Sequence, residues 1–473
     1  MELPPLKLNV ARGEEDRISA LPDELLLRIL ERLGLRRAVR AGTVSKRWRH
    51  LPHQLSFVTL DVRCFRRATL GETMDAFTAA LTSVCAQRNC ECQRGRVMAM
   101  KAICLRFFLS ASHLSSIGSA VEDVVSHGKT RRLAFQVSPP PGVNSFPQIP
   151  EMGQQFMSFS RAHQPAFQCL TRLRLKSLAF GNSDVAALIA ASDKLEHLNM
   201  NSCGLVDQRH VLKIDTPCSV IQELEFKRFH CKRIHLISVP RLRTVLCHSW
   251  RSNNPPMRFG YVPQLRQVNL ACKAKAWQVS FLLSRCFSRR SANNLLKLHL
   301  NFRHQMIWIR PEHPKHLTAI FRNLAEVSFS GIFPECDLSW TLFILQVAPA
   351  LHKFTLSRER HACDIPSEDS ADKTNVVWEP SKDLKHLKLK LLRMYGFEDE
   401  DKVTNYIRLV MERAVGLKRI ELRGEVPCEK CDAIYPRRSQ VDKGRRRRIK
   451  ERLTHESSSN MGMIMLVAAM PAR

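Results

Sequence analysis

The clearest pattern in the sequence is a recurring six-residue segment with apolar side chains at its first, fourth and sixth positions. The last four positions of each copy alternate polar and apolar residues, as is typical of a half-buried β-strand. Nine regular copies are LTRLRL (170–175), LEHLNM (195–200), IQELEF (221–226), LRQVNL (265–270), LLKLHL (295–300), LAEVSF (324–329), LHKFTL (351–356), LKHLKL (384–389) and LKRIEL (417–422).

A less regular copy, LRTVLC (242–247), fills the widest gap, and LSFVTL (55–60) and MKAICL (100–105) extend the series towards the N-terminus. Copies in the regular part lie about 21 to 33 residues apart, close to the period of leucine-rich repeats. One such unit cannot bury its apolar edge alone, so we expect the units to stack in parallel. The pattern predicts an α/β chain whose main part is an irregular leucine-rich-repeat solenoid, or horseshoe.

The same alternation predicts which side chains of the repeats face solvent. The third and fifth positions of each copy point away from the core, and the fourth and sixth point into it. On this basis Leu173, Leu175, Leu387 and Leu389 should be buried. We predict that the exposed strand face binds a protein substrate, although a solvated face without a partner is an open alternative. The candidate substrate-binding residues are Arg172, Arg174, Lys176, His197, Glu223, Lys353, Lys388 and Arg419, and other outward positions include His386 and Glu421.

Ahead of the first strand, residues 20–54 contain three short helical patterns. Pro22 suits the first position of a helix, and the carboxylates of Asp23 and Glu24 suit the positive end of its dipole. An apolar stripe follows at helical spacing, and it is too wide for three small helices to cover by themselves. The stripe consists of Leu25, Leu26, Ile29, Leu30 and Leu33.

A second helix is predicted over residues 36–41, ending at Gly42, and a third apolar stripe runs through Val44, Trp48 and Leu51. These helices could cap the open first edge of the solenoid, which terminal repeats require. Another alternative is a helix-turn-helix that reads DNA, because basic helices flank a glycine-containing turn. That motif needs a further supporting core, whereas this chain enters the repeats at once.

Two segments decide between these alternatives, because LPDELLLRILERL (21–33) and AVRAGTVSKRWRHL (38–51) together resemble the F-box of plant proteins. In that family the F-box docks on a Skp-type adaptor, which joins it to a cullin and a RING subunit. The rest of the chain selects the protein to be ubiquitinated. The resemblance implies that five residues face the adaptor and that three more support or extend the contact. They are Leu21, Pro22, Leu25, Ile29 and Leu30, followed by Val44, Ser45 and Trp48.

The C-terminal region from 383 to 440 is similar to the FBD-type region that follows F-box and leucine-rich repeats in plant proteins. Its own pattern is a strand, the acidic segment EDED (398–401), a helix and another strand. The helix has one apolar face formed by Val403, Tyr406, Ile407, Val410, Met411 and Ala414. The resulting domain prediction is a flexible N-terminus (1–15), an F-box (16–52), leucine-rich repeats (53–380), an FBD-like terminal repeat region (381–460) and a tail or last strand (461–473).

Composition changes this picture mainly through charge. The 473 residues include 74 Lys and Arg against 44 Asp and Glu, a formal net charge of +30 that favours acidic partners without naming them. Residues 1–16 lack the apolar core of a secretory signal, and no window is apolar enough for a membrane span. We therefore expect a protein of the nucleus or cytoplasm whose 16 cysteines are free thiols, with no membrane partner.

The sequence contains only incomplete matches to phosphate-binding and zinc-binding motifs. HGKT (127–130) lacks the leading glycine of a phosphate-binding loop, and CEKC (428–431) and CEC (90–92) have no second cysteine pair at a zinc-site spacing. No catalytic residue, metal site or cofactor is predicted. The basic run KGRRRRIKERL (443–453) is either a nuclear import signal or a solvated helix. The segments 138–150 and 363–375 are predicted to be loop insertions.

Together these features predict a non-catalytic substrate-recognition subunit of an SCF-type (Skp, cullin, F-box) ubiquitin ligase. Its helices would hold the ligase core, and its repeats would hold a protein substrate near the ubiquitin-carrying enzyme. Two alternatives remain open, namely a basic nucleic-acid-binding protein and a repeat scaffold without a ligase role. Nucleic acid ranks below a protein partner, because scattered Lys and Arg residues contact only phosphates.

Overall fold

The computed structural model describes residues 21–43, 47–89, 100–126, 130–143, 148–275, 277–287, 294–358, 376, 378–379, 381, 383–424, 443–454 and 463–467. The chain packs as two compact units, 1–136 and 137–473. The first unit contains helices α1 (Asp23–Leu33), α2 (Leu35–Gly42), α3 (Leu70–Asn89) and α4 (Ala111–Ser126), 3-10 helices Trp48–Gln54 and Val62–Phe65, and strands β1 (Phe57–Asp61), β2 (Ala102–Phe108) and β3 (Arg132–Ser138), the last of which ends just inside the second unit.

The first two helices of this unit form as the sequence predicts, but the third segment differs. Gly34, at a positive φ of 74°, ends α1 and allows α2 to start at the next residue. The third segment is a 3-10 helix that contains Pro52, whose ring is incompatible with the interior of a regular α-helix. Their shared core consists of the buried side chains of Leu26, Leu30, Ala38, Leu51 and Leu55.

The bundle joins directly to the first repeat strands. The backbone N–H of Ser56 donates a 3.2 Å hydrogen bond to the carboxylate of Glu31 on α1. Strands β1 and β2 are parallel, and Val58 and Leu60 lie opposite Ile103 and Leu105 on the buried face. Helices α3 and α4 pack against each other, and Phe77 of α3 contacts Phe107 of β2 with ring centroids 6.4 Å apart. The repeat pattern therefore begins immediately after the F-box-like helices.

The second unit alternates strands with short helices and loops. Its strands are β4 (Leu170–Lys176), β5 (Ala179–Phe180), β6 (His197–Asn201), β7 (Gly204–Leu205), β8 (Val211–Asp215), β9 (Glu223–Lys227), β10 (Arg233–Ser238), β11 (Thr244–His248), β12 (Met257–Tyr261), β13 (Gln267–Ala271), β14 (Phe281–Leu282), β15 (Lys297–Asn301), β16 (Ile309–Arg310), β17 (Glu326–Ile332), β18 (Lys353–Arg358), β19 (Leu391–Tyr395), β20 (Arg419–Arg423) and β21 (Ile464–Val467).

Helical segments connect many of these strands. They are α5 (Gln148–Ala162), α6 (Gln164–Gln168), α7 (Asp184–Ala190), α8 (Pro314–Phe321), α9 (Phe343–Val347) and α10 (Asp401–Arg413), the 3-10 helices Leu283–Arg285 and Ser339–Leu342, and a helix that we call the basic helix (Lys443–Thr454). Several connections contain short strands instead, and the largest group is the three-stranded parallel sheet β12-β10-β8. The uneven repeat lengths of the sequence reflect these different connections.

The main sheet of this unit has the order β4-β6-β9-β11-β13-β15-β17-β18-β19-β20-β21, so each strand pairs with those of the preceding and following repeats. Pairing is parallel, and equivalent repeat positions lie opposite each other, as with Leu173 and Leu198 or Leu298 and Val327. The predicted architecture, an α/β chain with a helical N-terminal bundle followed by a solenoid of stacked parallel strands, is confirmed. The predicted last strand is also present as β21.

One repeat has a different register from the one predicted. The sequence pattern LKHLKL places a strand at 384–389, whereas the strand that pairs with β18 is Leu391–Tyr395. The run from Leu384 to Tyr395 offers apolar alternation in two places, and the second buries Leu392 and Met394 against the core. Of the pair expected to be buried there, Leu389 is buried but Leu387 is 74% exposed. That part of the prediction was wrong.

The core of the second unit is rich in aromatic side chains between Phe302 and Phe354. Trp340 stacks on Phe329 with centroids 5.5 Å apart, and Phe302 contacts Trp308 at 5.0 Å. On α10, the predicted apolar face is largely buried, and the hydroxyl of Tyr406 lies 2.8 Å from that of Thr341. The contact between Tyr406 and Thr341 attaches α10 to the repeats.

Candidate partner-binding surfaces

Helix α1 presents two apolar faces. Leu26 and Leu30 are completely buried in the helical bundle, whereas Leu25, Ile29 and Leu33 are 42%, 38% and 39% exposed. Residues four apart lie above one another on the same side of a helix, so the three exposed side chains form one row. We call this row the α1 apolar row. Large apolar side chains uncovered in a line are typical of a surface that another molecule covers.

The start of α1 is held in place by Arg47. Its Nη2 lies 2.8 Å from the Asp23 carboxylate and also donates a 2.7 Å hydrogen bond to the carbonyl of Leu21. Trp48 is partly buried and packs against the bundle core. These contacts orient the N-terminal turn of α1, and with it the first members of the α1 apolar row.

The structure separates the eight predicted adaptor-contact residues into groups. Pro22, Leu25 and Ile29 are exposed, and Leu21 and Trp48 are partly buried. Leu30 is fully buried, so the prediction that it faces the adaptor was wrong; a residue one position after an exposed one points to a different side of the helix. Val44 and Ser45 lie outside the described residues. Leu33 and Val39, both exposed, were missing from the predicted set, although the four-residue spacing from Ile29 already indicated Leu33.

The exposed face of the main sheet carries the predicted substrate-contact residues of the second unit, except Lys388. Arg172, Arg174 and Lys176 all lie exposed on β4, as the alternation predicts. Within the part of the chain that the structure describes, none of these three side chains forms an ion pair. Their charge therefore remains available to a partner.

Other charged residues of this face are paired across neighbouring strands. His197 Nδ1 lies 3.0 Å from the Glu223 carboxylate, and Glu326 lies 3.2 Å from Lys297 and 3.5 Å from Lys353. Burial alone would raise the pKa of Glu326, but the hydrogen bond from Lys297 and the charge of Lys353 outweigh it and hold that pKa below its ordinary value. These pairs reduce the net charge of the central strand face.

A cluster at the last repeats surrounds one carboxylate with three guanidinium groups. Glu421 is buried, although the alternation predicts an outward side chain, because Arg393, Arg419 and Arg423 cover it at 2.6, 2.8 and 3.7 Å. The hydrogen bond from Arg393 is the main cause that lowers the pKa of Glu421. Arg423 also lies over the ring of Tyr395, 5.5 Å from its centroid. The cluster keeps a net positive charge.

Lys388 and His386 do not belong to the strand face, because the strand of their repeat begins at Leu391. His386 is buried, and its ring nitrogens bond the carbonyl of Ala348 at 2.9 Å and the backbone N–H of Leu389 at 3.0 Å. Lys388 is exposed on the segment between His386 and Leu389. The prediction that Lys388 projects from the strand face was therefore wrong.

Chemically reactive side chains in the described residues are mostly buried. Burial raises the pKa of Cys203, Cys231 and Cys272 to about 12 and that of Cys336 to about 11, so these thiols stay protonated at neutral pH. No group of three or more potential metal ligands occurs among the described residues. CEKC and CEC lie outside those residues. In the part of the chain that the structure describes, no helix is long and apolar enough to cross a membrane.

Two family models match the chain. The F-box-like model matches residues 18–55, and the model described as "At1g61320/AtMIF1, LRR domain" matches residues 155–464, which is more than half of the chain. F-box/LRR-repeat protein 25 of Arabidopsis thaliana is 26% identical over 219 residues, covering 46% of this chain and 69% of that protein. The chain is a plant F-box/leucine-rich-repeat protein.

Two further relatives match this F-box/leucine-rich-repeat protein over the N-terminal region alone. F-box protein At1g80960 of Arabidopsis thaliana is 50% identical over 48 residues, and MEIOTIC F-BOX protein MOF of Oryza sativa subsp. japonica is 51% identical over 51 residues. These matches cover 10% and 11% of the two relatives, respectively, and equal shares of this chain. The leucine-rich-repeat model continues to residue 464, across the region predicted to be FBD-like. The FBD resemblance stays a prediction.

Proposed function

We propose that this F-box/leucine-rich-repeat protein is the substrate-recognition subunit of an SCF-type ubiquitin ligase. The F-box region, 16–52, would bind a Skp-type adaptor, and through it a cullin and a RING subunit. The repeats from 53 onwards, including the terminal region 381–460, would bind a protein substrate. The proposal assigns no catalytic step to this chain, which would act by holding the substrate near the ubiquitin-carrying enzyme.

The observation that carries the proposal is the α1 apolar row. Burying an apolar side chain such as Leu25 or Ile29 stabilises an interface by about 25 cal/mol for each Å² removed from water. In the proposed complex the adaptor covers the row, while the inward Leu26 and Leu30 hold the helix in the orientation that presents it. Pro22, Leu21 and Trp48 extend the contact at the end of the bundle that Arg47 fixes.

The second part of the proposal concerns the strand face. The unpaired cations Arg172, Arg174 and Lys176 would contact the substrate directly. The paired residues His197, Glu223, Lys353 and Arg419 would contribute hydrogen bonds and set the local charge pattern. Such charge complementarity favours specificity and association rate more than raw affinity. We also propose residence in the nucleus or cytoplasm, with the exposed arginines of the basic helix as an import signal.

Co-purification of the adaptor tests the proposal. The double variant Leu25→Ser, Ile29→Ser should lose a co-expressed Skp-type adaptor while its circular dichroism stays unchanged, because both side chains are already in contact with water. A control is Val206→Ser, Val415→Ser, which replaces two exposed apolar residues of the second unit. Retention of the adaptor by the α1 variant would reject the docking assignment.

A further inference from the structure

The middle repeats are free of acidic residues. From Phe226 to Pro311 the sequence contains 17 lysines and arginines and not one aspartate or glutamate. The rest of the chain mixes both signs, so this segment carries a large share of the net charge of +30. Cations that have no carboxylates between them repel one another, and an acidic partner relieves that repulsion. The segment runs from the last two residues of β9 to the end of β16 in the second unit.

Within these repeats, one edge of the main sheet carries an unneutralised cation in each of four consecutive loops. The loops follow β9, β11, β13 and β15, and their exposed cations are Arg228, Arg251, Lys273 and Arg303. Among the described residues no carboxylate pairs with any of the four. Arg228 bonds the neutral amide of Asn201 at 3.3 Å. We call these four residues the cationic edge.

Backbone hydrogen bonds show that the four loops are immediate neighbours. The residue after each strand donates to the last residue of the next strand: Arg228 to His248 at 2.8 Å, Ser249 to Ala271 at 2.6 Å and Cys272 to Asn301 at 3.0 Å. Neighbouring strands lie about 4.8 Å apart, so the cationic edge extends over roughly 15 Å. An extended peptide rises about 3.3 Å per residue, so about five residues would reach all four cations.

Two apolar side chains project from the middle of this edge. In the loop after β13, Trp277 is 53% exposed and Val279 is 73% exposed, while Gln278 between them is buried. Tryptophan is one of the residues most enriched in the energetic centres of protein interfaces. The exposed tryptophan and valine leave apolar surface in contact with water, and a partner that covers it would be stabilised by its burial.

Hydrogen bonds of the buried Gln278 hold these two side chains outward. Its Oε1 accepts from the backbone N–H of Lys275 at 2.8 Å, and its Nε2 donates to the carbonyl of Ser252 at 2.6 Å. Asn254 of the same neighbouring loop donates to the carbonyl of Val279 at 2.9 Å. The loop after β13 is thus tied to the loop after β11 by side-chain bonds, and Trp277 and Val279 are presented by a fixed backbone.

We propose that the cationic edge, together with Trp277 and Val279, binds an acidic peptide segment that also carries an apolar side chain. This inference rests on the proposed function, because it names the class of substrate segment that the repeats would hold. Carboxylates of the segment would form charge-assisted hydrogen bonds with the arginines, and its apolar side chain would pack on Trp277. Single-stranded nucleic acid is the less favoured occupant, because its binding uses several successive aromatic platforms, and the described part of this edge exposes one aromatic ring.

Fluorescence anisotropy on the full chain, co-purified with its adaptor, tests the proposal. The probes are a labelled pool of short peptides that alternate Asp or Glu with apolar residues, the same pool with Asn and Gln in place of the acids, and an oligouridine strand. The acidic pool should bind at least about tenfold more tightly than the neutral pool, and more tightly than the RNA. Equal binding of the two peptide pools, no binding at all, or tighter binding of the RNA would overturn the proposal.

Variants locate the binding on this edge. Arg251→Glu, Lys273→Glu should weaken binding of the acidic pool by about tenfold. Arg161→Glu, Arg322→Glu makes the same charge change at two exposed positions, one on α5 and one just after α8, and should leave that binding within about twofold. Equal effects of the two variants would show that net charge alone drives binding and would overturn the site. Arg251→Gln, Lys273→Gln is a milder replacement for use if the reversed variant misfolds.

A third pool, with serine in place of the apolar residues, isolates the role of Trp277. Trp277→Ala should lower the affinity for the apolar acidic pool to that of the serine pool and leave the serine pool unchanged. An equal loss for both pools would reject the apolar contact. Adaptor co-purification is measured on every variant, so a failure of adaptor docking is distinguishable from a failure of the cationic edge.

Discussion

The guanidinium Nε of Arg393 lies 2.6 Å from the carboxylate of Glu421, and the two residues sit directly opposite each other on strands β19 and β20. Arg419 and Arg423 close around the same carboxylate from its own strand. One buried negative charge therefore holds three positive charges together at the C-terminal end of the repeats. Removing that charge should have a local and measurable effect.

We predict that Glu421→Gln destabilises the last repeats by about 3 kcal/mol, because breaking a buried ion pair leaves cations without compensation. Hydrogen exchange of amides in β19 and β20 measures the local effect, since repeat arrays need not unfold as a single unit. Glu151→Gln changes an exposed glutamate of α5 and serves as the control. Unchanged exchange in the Glu421 variant would contradict the prediction.

The same carboxylate should make stability depend on pH. The pKa of Glu421 is lowered from its ordinary value of 4.5 in the folded protein, so its stabilising contribution is present above that value and is lost as the pH falls through the folded pKa. The melting temperature of the wild type should therefore fall more steeply below about pH 4.5 than that of Glu421→Gln. Parallel pH profiles for the two proteins would reject this assignment.

Leu25 and Leu30 should respond differently to the same truncation. Leu30→Ala removes a fully buried side chain and should destabilise the helical bundle by about 2–5 kcal/mol. Leu25→Ala changes an exposed residue and should alter stability by less than about 0.5 kcal/mol while weakening adaptor binding. Hydrogen exchange in α1 and adaptor pulldown separate the two effects. Equal destabilisation would mean that the helix is rotated.

Leu387 and Leu389 give a second test of register. Leu389→Asp places an unpaired charge in the core and should unfold the C-terminal repeats, whereas Leu387→Asp should leave them folded. Circular dichroism and limited proteolysis of the full chain distinguish the outcomes. The reverse result would restore the strand at 384–389 that the sequence pattern predicts.

The substrate face is tested by reversing charge on β4. Arg172→Glu, Arg174→Glu should weaken capture of the substrate from native cell extracts without loss of the adaptor, because both side chains are exposed and free of ion pairs in the described structure. Lys388→Glu is the control, because Lys388 lies off the strand face. If the Arg172→Glu, Arg174→Glu variant keeps the substrate, recognition uses another surface, such as the cationic edge.

Much of the candidate site could be predicted from the local sequence. Leu25 and Ile29 follow from helical spacing, and Arg172 and Arg174 follow from strand alternation, because both periods are set by the backbone. Leu30 was assigned wrongly, since the width of an apolar stripe does not tell which side faces the bundle. The burial of Glu421 was not predicted, because the arginines that cover it come from more than one strand.

The sequence by itself determined the class of fold and the positions of most strands of the main sheet, because each strand's alternating pattern and each repeat's period are local properties of the chain. Only the tertiary structure decided the register of the repeat at Leu391, since pairing with β18 selects one of two equally alternating segments. It also decided which cations remain unpaired. Arg251, Lys273 and Arg303 come together at one edge only after parallel stacking, whereas Lys297 and Lys353 share the carboxylate of Glu326.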